Sequence, residues 1–388
     1  MNACGGQSKP NTATTIGSQV STPADPINTY FGTDGDVWNV NIDHTNSQLT
    51  AKDVTNGILL VGSAAGTFTT SDGFLDISLS SNGTPPSIAG QEGGFAVDLP
   101  GQAALLRLGN PSNPIVPLVA TLGCLTINDS LTYQYVTIPT PAWQPGTDIA
   151  YGSFQASTSG PNWTISDITQ YTLAGAAPAN PGAGLPAGYC AQSTLGFAVT
   201  APSVSTNPPV ATVTMAFDSS GFFLEDNGSQ QGQPQGVVPS NSIGAGVGAI
   251  GLTRPSVPVS TSDIVQARYV GFLYEPIAAP LTTSQVTQLV SFGCMGPSCP
   301  APVSPTSMAG GAFPNEDLTQ PPTQDLLINL GPQDPQNNGR YSKAEITIAG
   351  VLFPAVAVVG DPAGKFAILL VAYDNLNNIP VSIYLFQQ

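Results

Sequence analysis

The stretch Val37-Trp38-Asn39-Val40-Asn41-Ile42-Asp43 decides the class of this chain. Its strict alternation puts Trp38, Val40 and Ile42 on one face and Asn39, Asn41 and Asp43 on the other, which is the period of a half-buried β-strand. His44-Thr45-Asn46-Ser47 follows as a turn. Working outward, strand-like runs recur at 66–70, 74–79, 95–99, 104–108, 115–122, 131–138, 149–156 and 163–173, and again at 195–200, 211–217, 222–225, 264–274, 344–349, 353–359, 366–373 and 381–386. They are short and end in Gly, Pro, Asn, Asp or Ser, the punctuation of a sandwich or barrel. One segment, 282–292, reads as a short helix, with Thr or Ser at its start and Val286, Leu289 and Val290 on one side. The predicted class is all-β: two β-sandwich or β-barrel-like bodies after a disordered N-terminal tether.

Composition supports a folded body. Of 388 residues 41% are hydrophobic and only 8% charged, against about 25% charged in an ordinary soluble domain. The 42 Gly and 37 Pro stay below the ~25–30% that marks disorder. Eight Lys and Arg stand against 24 Asp and Glu, a formal charge of −16. That balance excludes nucleic acid as a partner, because such binding neutralises phosphates with clustered cations. No apolar run approaches the ~18 residues of a membrane-spanning helix, and the long Pro-rich connections fit a transmembrane barrel poorly. Lys is also nearly missing from the polar faces, although it commonly protects exposed β edges. Those edges must be guarded by Pro and long connections or covered by partners.

The N-terminus points to the compartment. Met1-Asn2-Ala3-Cys4-Gly5-Gly6 has the small residue and cysteine that end a bacterial lipobox, with Met1 where a larger aliphatic residue is usual and no hydrophobic segment before it. Residues 7–26 are rich in Ser, Thr, Asn and Pro without periodicity, as in a solvated tether. Setting Cys4 aside leaves four cysteines, an even number suited to an oxidising compartment. Cys294 and Cys299 share a Gly/Pro-bent segment able to bring their sulfurs together, and Cys124 and Cys190 then pair by elimination. Chain entropy gives roughly 2 kcal/mol for the short loop and roughly 4 for the long one. A zinc site would want paired C-x₂₋₄-C units or histidine partners, and the chain has one such spacing and one His. The predicted organisation is a tether at 1–26, a first β domain at 27–175, a Pro/Gly linker at 176–189 and a second β domain at 190–388.

Chemistry is scarce. His44 is the sole histidine and lies in a turn, and no G-x-S-x-G elbow exists, so a solvated turn histidine is the expectation and histidine-based hydrolysis is set aside. Gly246-Val247-Gly248-Ala249-Ile250-Gly251 matches G-x-G-x-x-G but lacks an opening strand and is followed by Pro255, so it reads as a β loop. Gly360-Asp361-Pro362-Ala363-Gly364-Lys365 falls one residue short of a P-loop and reads as a hairpin turn. Paired carboxylates are the acid/base resource left, from Asp34, Asp36, Asp76, Asp98, Asp167, Glu225, Asp226, Glu275, Glu316 and Asp317. Asp34-Gly35-Asp36 and Glu225-Asp226-Asn227 offer oxygen ligands for calcium on turns; no other cofactor is indicated. Of the three tryptophans, Trp38 and Trp163 sit on alternating strands and read as core, whereas Trp143, in a Pro-rich loop, suits ligand stacking.

With the lipobox-like start, the segments Gly35-Asp36-Val37-Trp38-Asn39-Val40, Thr67-Phe68-Thr69-Thr70-Ser71-Asp72-Gly73-Phe74 and Pro380-Val381-Ser382-Ile383-Tyr384-Leu385-Phe386 resemble a family of secreted, β-rich bacterial lipoproteins. The resemblance implies an envelope location and a β fold, and brings no catalytic residues with it. The functional expectation is a non-enzymatic lipoprotein, anchored to the membrane through Cys4, that binds a glycan, a small ligand or an envelope protein. A glycan-active enzyme and a self-assembling surface subunit are the alternatives.

Overall fold

A computed structural model of the chain describes residues 29–33, 37–53, 63–79, 93–109, 111, 115–120, 130–138, 149–159, 162–173, 185–193, 196–202, 212–217, 221–225, 249–275, 286–293, 304–374 and 379–388. The strands are β1 (Thr29–Thr33), β2 (Val37–Asp43), β3 (Gln48–Asp53), β4 (Ser63–Ser71), β5 (Phe74–Leu79), β6 (Gly93–Leu99), β7 (Ala103–Leu108) and β8 (Val116–Ala120). They continue as β9 (Leu131–Thr137), β10 (Ala150–Ser159), β11 (Asn162–Thr172), β12 (Leu185–Ser193), β13 (Gly196–Pro202), β14 (Thr212–Phe217), β15 (Phe222–Glu225) and β16 (Ala249–Thr253). A short helix α1 (Thr261–Gln266) precedes β17 (Tyr269–Glu275), β18 (Val286–Phe292), β19 (Ser307–Ala312), β20 (Leu326–Asn329), β21 (Arg340–Ile348), β22 (Val351–Gly360), β23 (Ala367–Asp374) and β24 (Ile379–Gln387).

Each successive set of eight antiparallel strands closes on itself, so β1–β8, β9–β16 and β17–β24 form three barrels. The all-β, barrel-built class is the one expected from the strand pattern. Closure occurs between the first and last strand of each ring: β1 with β8, β9 with β16, β17 with β24. A closed ring has no free strand edge. The Lys-poor strands are therefore protected by ring closure, and edge-to-edge assembly loses its physical basis among the described strands.

The rings divide the chain elsewhere than the composition suggested. The passages between rings are 121–130 and 254–268, whereas the Pro/Gly stretch 176–189 runs into β12, which pairs with β11 and β13 inside the second ring. Gly and Pro mark chain reversals within a barrel as readily as boundaries between bodies.

Two local expectations are overturned. Residues 286–292 form β18 and not a helix, because Thr287, Leu289 and Ser291 alternate with Val290 and Phe292 between two buried faces, and the ladder with β17 stabilises the extended form. The run 264–274 splits, with Ile264 and Val265 on α1 and the strand starting at Tyr269. Ser260 caps α1 by accepting from the Asp263 amide at 3.4 Å. Ile264 and Val265 then pack into the interior of the third barrel, and Tyr269 donates to the Ile264 carbonyl at 2.9 Å.

Alternation along the strands separates two kinds of core. On β23, Ile368, Leu370 and Ala372 fill the third barrel, while Ala367, Leu369 and Val371 face outward into a cluster shared by all three barrels. On β7, Ala104, Leu106 and Leu108 fill the first barrel, and Ala103 and Leu105 join the shared cluster. Strands buried on both faces read as continuous apolar runs instead of alternating ones. On β2, Val40 and Ile42 are fully buried and Asn41 and Asp43 are not, as its alternation predicts. The second barrel has an aromatic interior, where Phe154 stacks on Tyr133 (5.3 Å between centroids) and meets Phe223 edge-on (4.9 Å).

Two glycines mark close approaches between strands. Tyr30-Phe31-Gly32 and Tyr269-Val270-Gly271 occupy matching places on the first strands of the first and third rings. A Cβ on Gly32 would collide with the Pro117 carbonyl, and one on Gly271 with the Tyr384 carbonyl, both on the strand that closes the ring. Gly271→Ala is expected to destabilise the chain by about 1–3 kcal/mol, measured by urea unfolding, because the obstacle is backbone.

Candidate functional site

Ring three is the hub, and arginines sit on its seams. Three of the four arginines bridge barrels. Arg107 on β7 is fully buried and grips Glu316, from the connection between β19 and β20, through both terminal nitrogens, with Nη2 donating to Oε2 at 2.9 Å. Its guanidinium lies 5.5 Å from the Phe95 ring centroid, and its Nε finds no acceptor among the described residues. Glu316 and its neighbour Asn315 both take left-handed backbone, at φ 59° and 52°. Each such non-glycine residue costs on the order of 1 kcal/mol, which the buried ion pair offsets.

Arg268, just before β17, donates from Nη2 to both the carbonyl and the carboxylate of Asp72 in the β4–β5 turn, each at 3.0 Å. Arg340 on β21 donates from Nε to Asp334 at 2.6 Å and sits over Tyr151 (5.7 Å) and Tyr171 (5.8 Å) of the second barrel. Those two rings stack at 5.5 Å. Asp334 is itself held by the Ser342 hydroxyl at 2.6 Å. Nothing local in the sequence singles out these arginines, because what each meets on the neighbouring barrel lies far along the chain.

The rims of barrels one and two are unequal. In the first, 44–47, 72–73 and 100–102 connect strands at one rim, and 34–36, 54–62, 80–92 and 109–115 connect them at the other. In the second, 160–161, 194–195 and 218–221 oppose 138–149, 173–184, 203–211 and 226–248. Rigid barrels with long connections gathered at one rim are a common platform for recognition.

Among the candidate carboxylates, Asp34, Asp36, Asp226 and the side chain of Glu225 lie outside the described residues, so neither calcium candidate is described. Asp76 and Asp167 are exposed on different barrels. Asp98 pairs with His44, and Glu316 with Arg107. Asp317 holds its own turn by accepting from Thr319 and Gln320, bonds that lower its pKa. Glu275 acquires a carboxylate neighbour, Asp374. It shares a face with Leu273, as Asp374 does with Ala372, so both point inward at one rim of the third barrel on either side of β24. Burial raises the Glu275 carboxyl above its ordinary value, and the charge of Asp374 adds to the rise.

His44 lies in an exposed turn, as expected, and has a partner there that its sequence neighbours do not supply. Its Nε2 lies 2.6 Å from Asp98 Oδ2, its ring meets Phe68 edge-on at 5.6 Å, and its side chain is 35% exposed. The bond from Asp98 raises its pKa above 6.5; partial burial opposes this, and the charges of Asp98 and Asp43 reinforce it.

Cys4, Cys124, Cys294, Cys299 and Trp143 lie outside the described residues. Cys190 lies on β12 opposite Val199, and its side chain is likewise outside. The side chains of Trp38 and Trp163 are also outside them.

No family model and no curated protein matches the chain. Among solved structures it is similar to a double mutant of the vaccine antigen transferrin binding protein B from Haemophilus parasuis Hp5, at 8% identity and TM-score 0.28, over 94% of this chain and 66% of that one. It is also similar to isotype 1 transferrin binding protein B from serogroup B Neisseria meningitidis, at 9% identity and TM-score 0.23, over 91% of this chain and 66% of that one. The chain spans about two thirds of the length of these proteins. At such TM-scores the likeness carries no functional assignment.

Proposed function

We propose that this chain is a non-enzymatic binding or structural module of a bacterial cell envelope, attached to the membrane through acylated Cys4. Contact with a glycan, a small ligand or an envelope protein is made by the long connections of barrels one and two. The observation that carries this reading is the unequal rims of barrels one and two: their strand connections are short at one end and, apart from 34–36, long at the other, above a body fused by one shared core. Trp143, in the connection between β9 and β10, is the proposed stacking residue, and the cystines are Cys294–Cys299 and Cys124–Cys190. A tether of two dozen residues, with a root-mean-square reach of roughly 5–6 Å × √n, keeps such a body close to the bilayer.

Two measurements test the reading. Mass spectrometry of the native N-terminus is expected to find acyl chains on Cys4, and a free Cys4 behind a retained Met1 would overturn the anchor. Cross-linking on intact cells is expected to join envelope components to 54–62, 80–92, 138–149 and 226–248. Cross-links confined to the short-turn rims would overturn the assignment of the binding face.

A further inference from the structure

We infer that His44 and Asp98 form a pH-dependent strut across the mouth of the first barrel, fastened when the imidazole is charged. The two residues belong to opposite sides of the ring: His44 follows β2 and Asp98 lies on β6, four places away in a ring of eight. Both continue the inward-facing alternation, His44 after Val40 and Ile42 and Asp98 after Ala96. Asp98 is 7% exposed, and the 2.6 Å contact with His44 Nε2 closes the span over the Phe68 ring. A bond between opposite strands fixes the width of the mouth, which ladder bonds between neighbours do not.

The charged groups facing the imidazole are few. Asp98 comes from β6 and Asp43 from its own turn; β4 presents the uncharged Phe68. Asp43 also organises the turn by accepting from the Thr45 and Asn46 amides, at 2.9 and 3.0 Å. At the same rim, Asp72 is engaged by Arg268, and Tyr30 accepts from the Gly101 amide at 3.2 Å. With the imidazole neutral, the nearly buried Asp98 carboxylate keeps a hydrogen bond and loses its counter-charge. Because the pair holds its proton more tightly in the folded barrel than a free histidine does, the strut is complete below about pH 6.5 and weakens as pH rises through the raised midpoint.

One histidine makes the test direct. Proton–carbon NMR of the intact chain gives a single imidazole, expected to titrate above 6.5, and in Asp98→Asn to fall to the ordinary value or below. Amide exchange over residues 42–49 is expected to lose protection across that titration, about tenfold for each pH unit by which the midpoint exceeds the ordinary value. His44→Gln keeps a polar side chain in an exposed turn and is expected to abolish the pH-dependent part. A wild-type midpoint at or below 6.5, or the same pH response in His44→Gln after correction for intrinsic exchange, overturns the strut. Should Asp98→Asn fail to fold, the His44→Gln comparison decides alone.

Discussion

Glu316→Gln is expected to lower stability by about 3–5 kcal/mol, the range for stripping the partner from a buried charge. The asymmetry of the pair is the reason. Arg107 has no exposed side-chain surface and an unpartnered Nε, whereas Glu316 is 21% exposed. Without the carboxylate, the guanidinium stays trapped between barrels with only the Phe95 face and an amide to meet. Arg107→Met is expected to cost less, because Glu316 can turn toward water and Asn315 and Glu316 can leave their left-handed conformations. The double substitution Arg107→Met with Glu316→Gln is expected to recover most of the loss, since it removes the buried charge that Glu316→Gln alone leaves without a partner. Urea unfolding of the four proteins of this cycle measures the coupling. A double variant whose cost equals the sum of the two single costs would show that the pair contributes little.

Phe74→Ala is expected to cost about 3–5 kcal/mol, as for other large aromatic truncations in a packed core. Phe74 belongs to the first barrel, but it packs outward, edge-on to Phe272 at 6.1 Å and to Phe313 at 5.7 Å in the third. Such aromatic pairs contribute about 0.5–1.5 kcal/mol beyond their buried area. The loss therefore falls on the joint between barrels and leaves the interior of the first intact. In calorimetry the native chain is expected to unfold with these barrels coupled, and the variant to show an earlier, separate transition for the first. Phe222→Ala, which removes an edge-on contact to Phe386 at 5.7 Å, should do the same between the second and third. A variant that unfolds in the same single step as the native chain would show that the joint is not where Phe74 acts.

The strand class was legible because a period of two survives wherever one face meets water, as in β2. The runs of β7 and β23 were visible as apolar and correctly placed, but their second buried face was not, because nothing local says what an outward Leu105 or Leu369 will meet. Periodicity also misread 282–292: a few apolar residues at helical spacing fit a strand equally well when both its faces are covered. The composition of 176–189 does not decide by itself whether it joins two bodies, since Pro and Gly are as common in turns within a barrel as between barrels.

The candidate site was less legible still. His44 looked solvated because its neighbours in sequence are polar, and its partner Asp98 lies 54 residues away. The arginine seams were invisible for the same reason, with Arg107 and Glu316 separated by 209 residues. Residue order alone determined that this chain is of the all-β class, poor in cations and built of short strands divided by turns, because those properties follow from side-chain period and backbone preference within a few neighbours. Tertiary structure alone decided that the strands close into three rings, that their outward faces merge into one core, and that three of the four arginines lie on the seams. Those outcomes depend on which distant surfaces leave water together, and burial is a property of pairs of segments that no single segment carries.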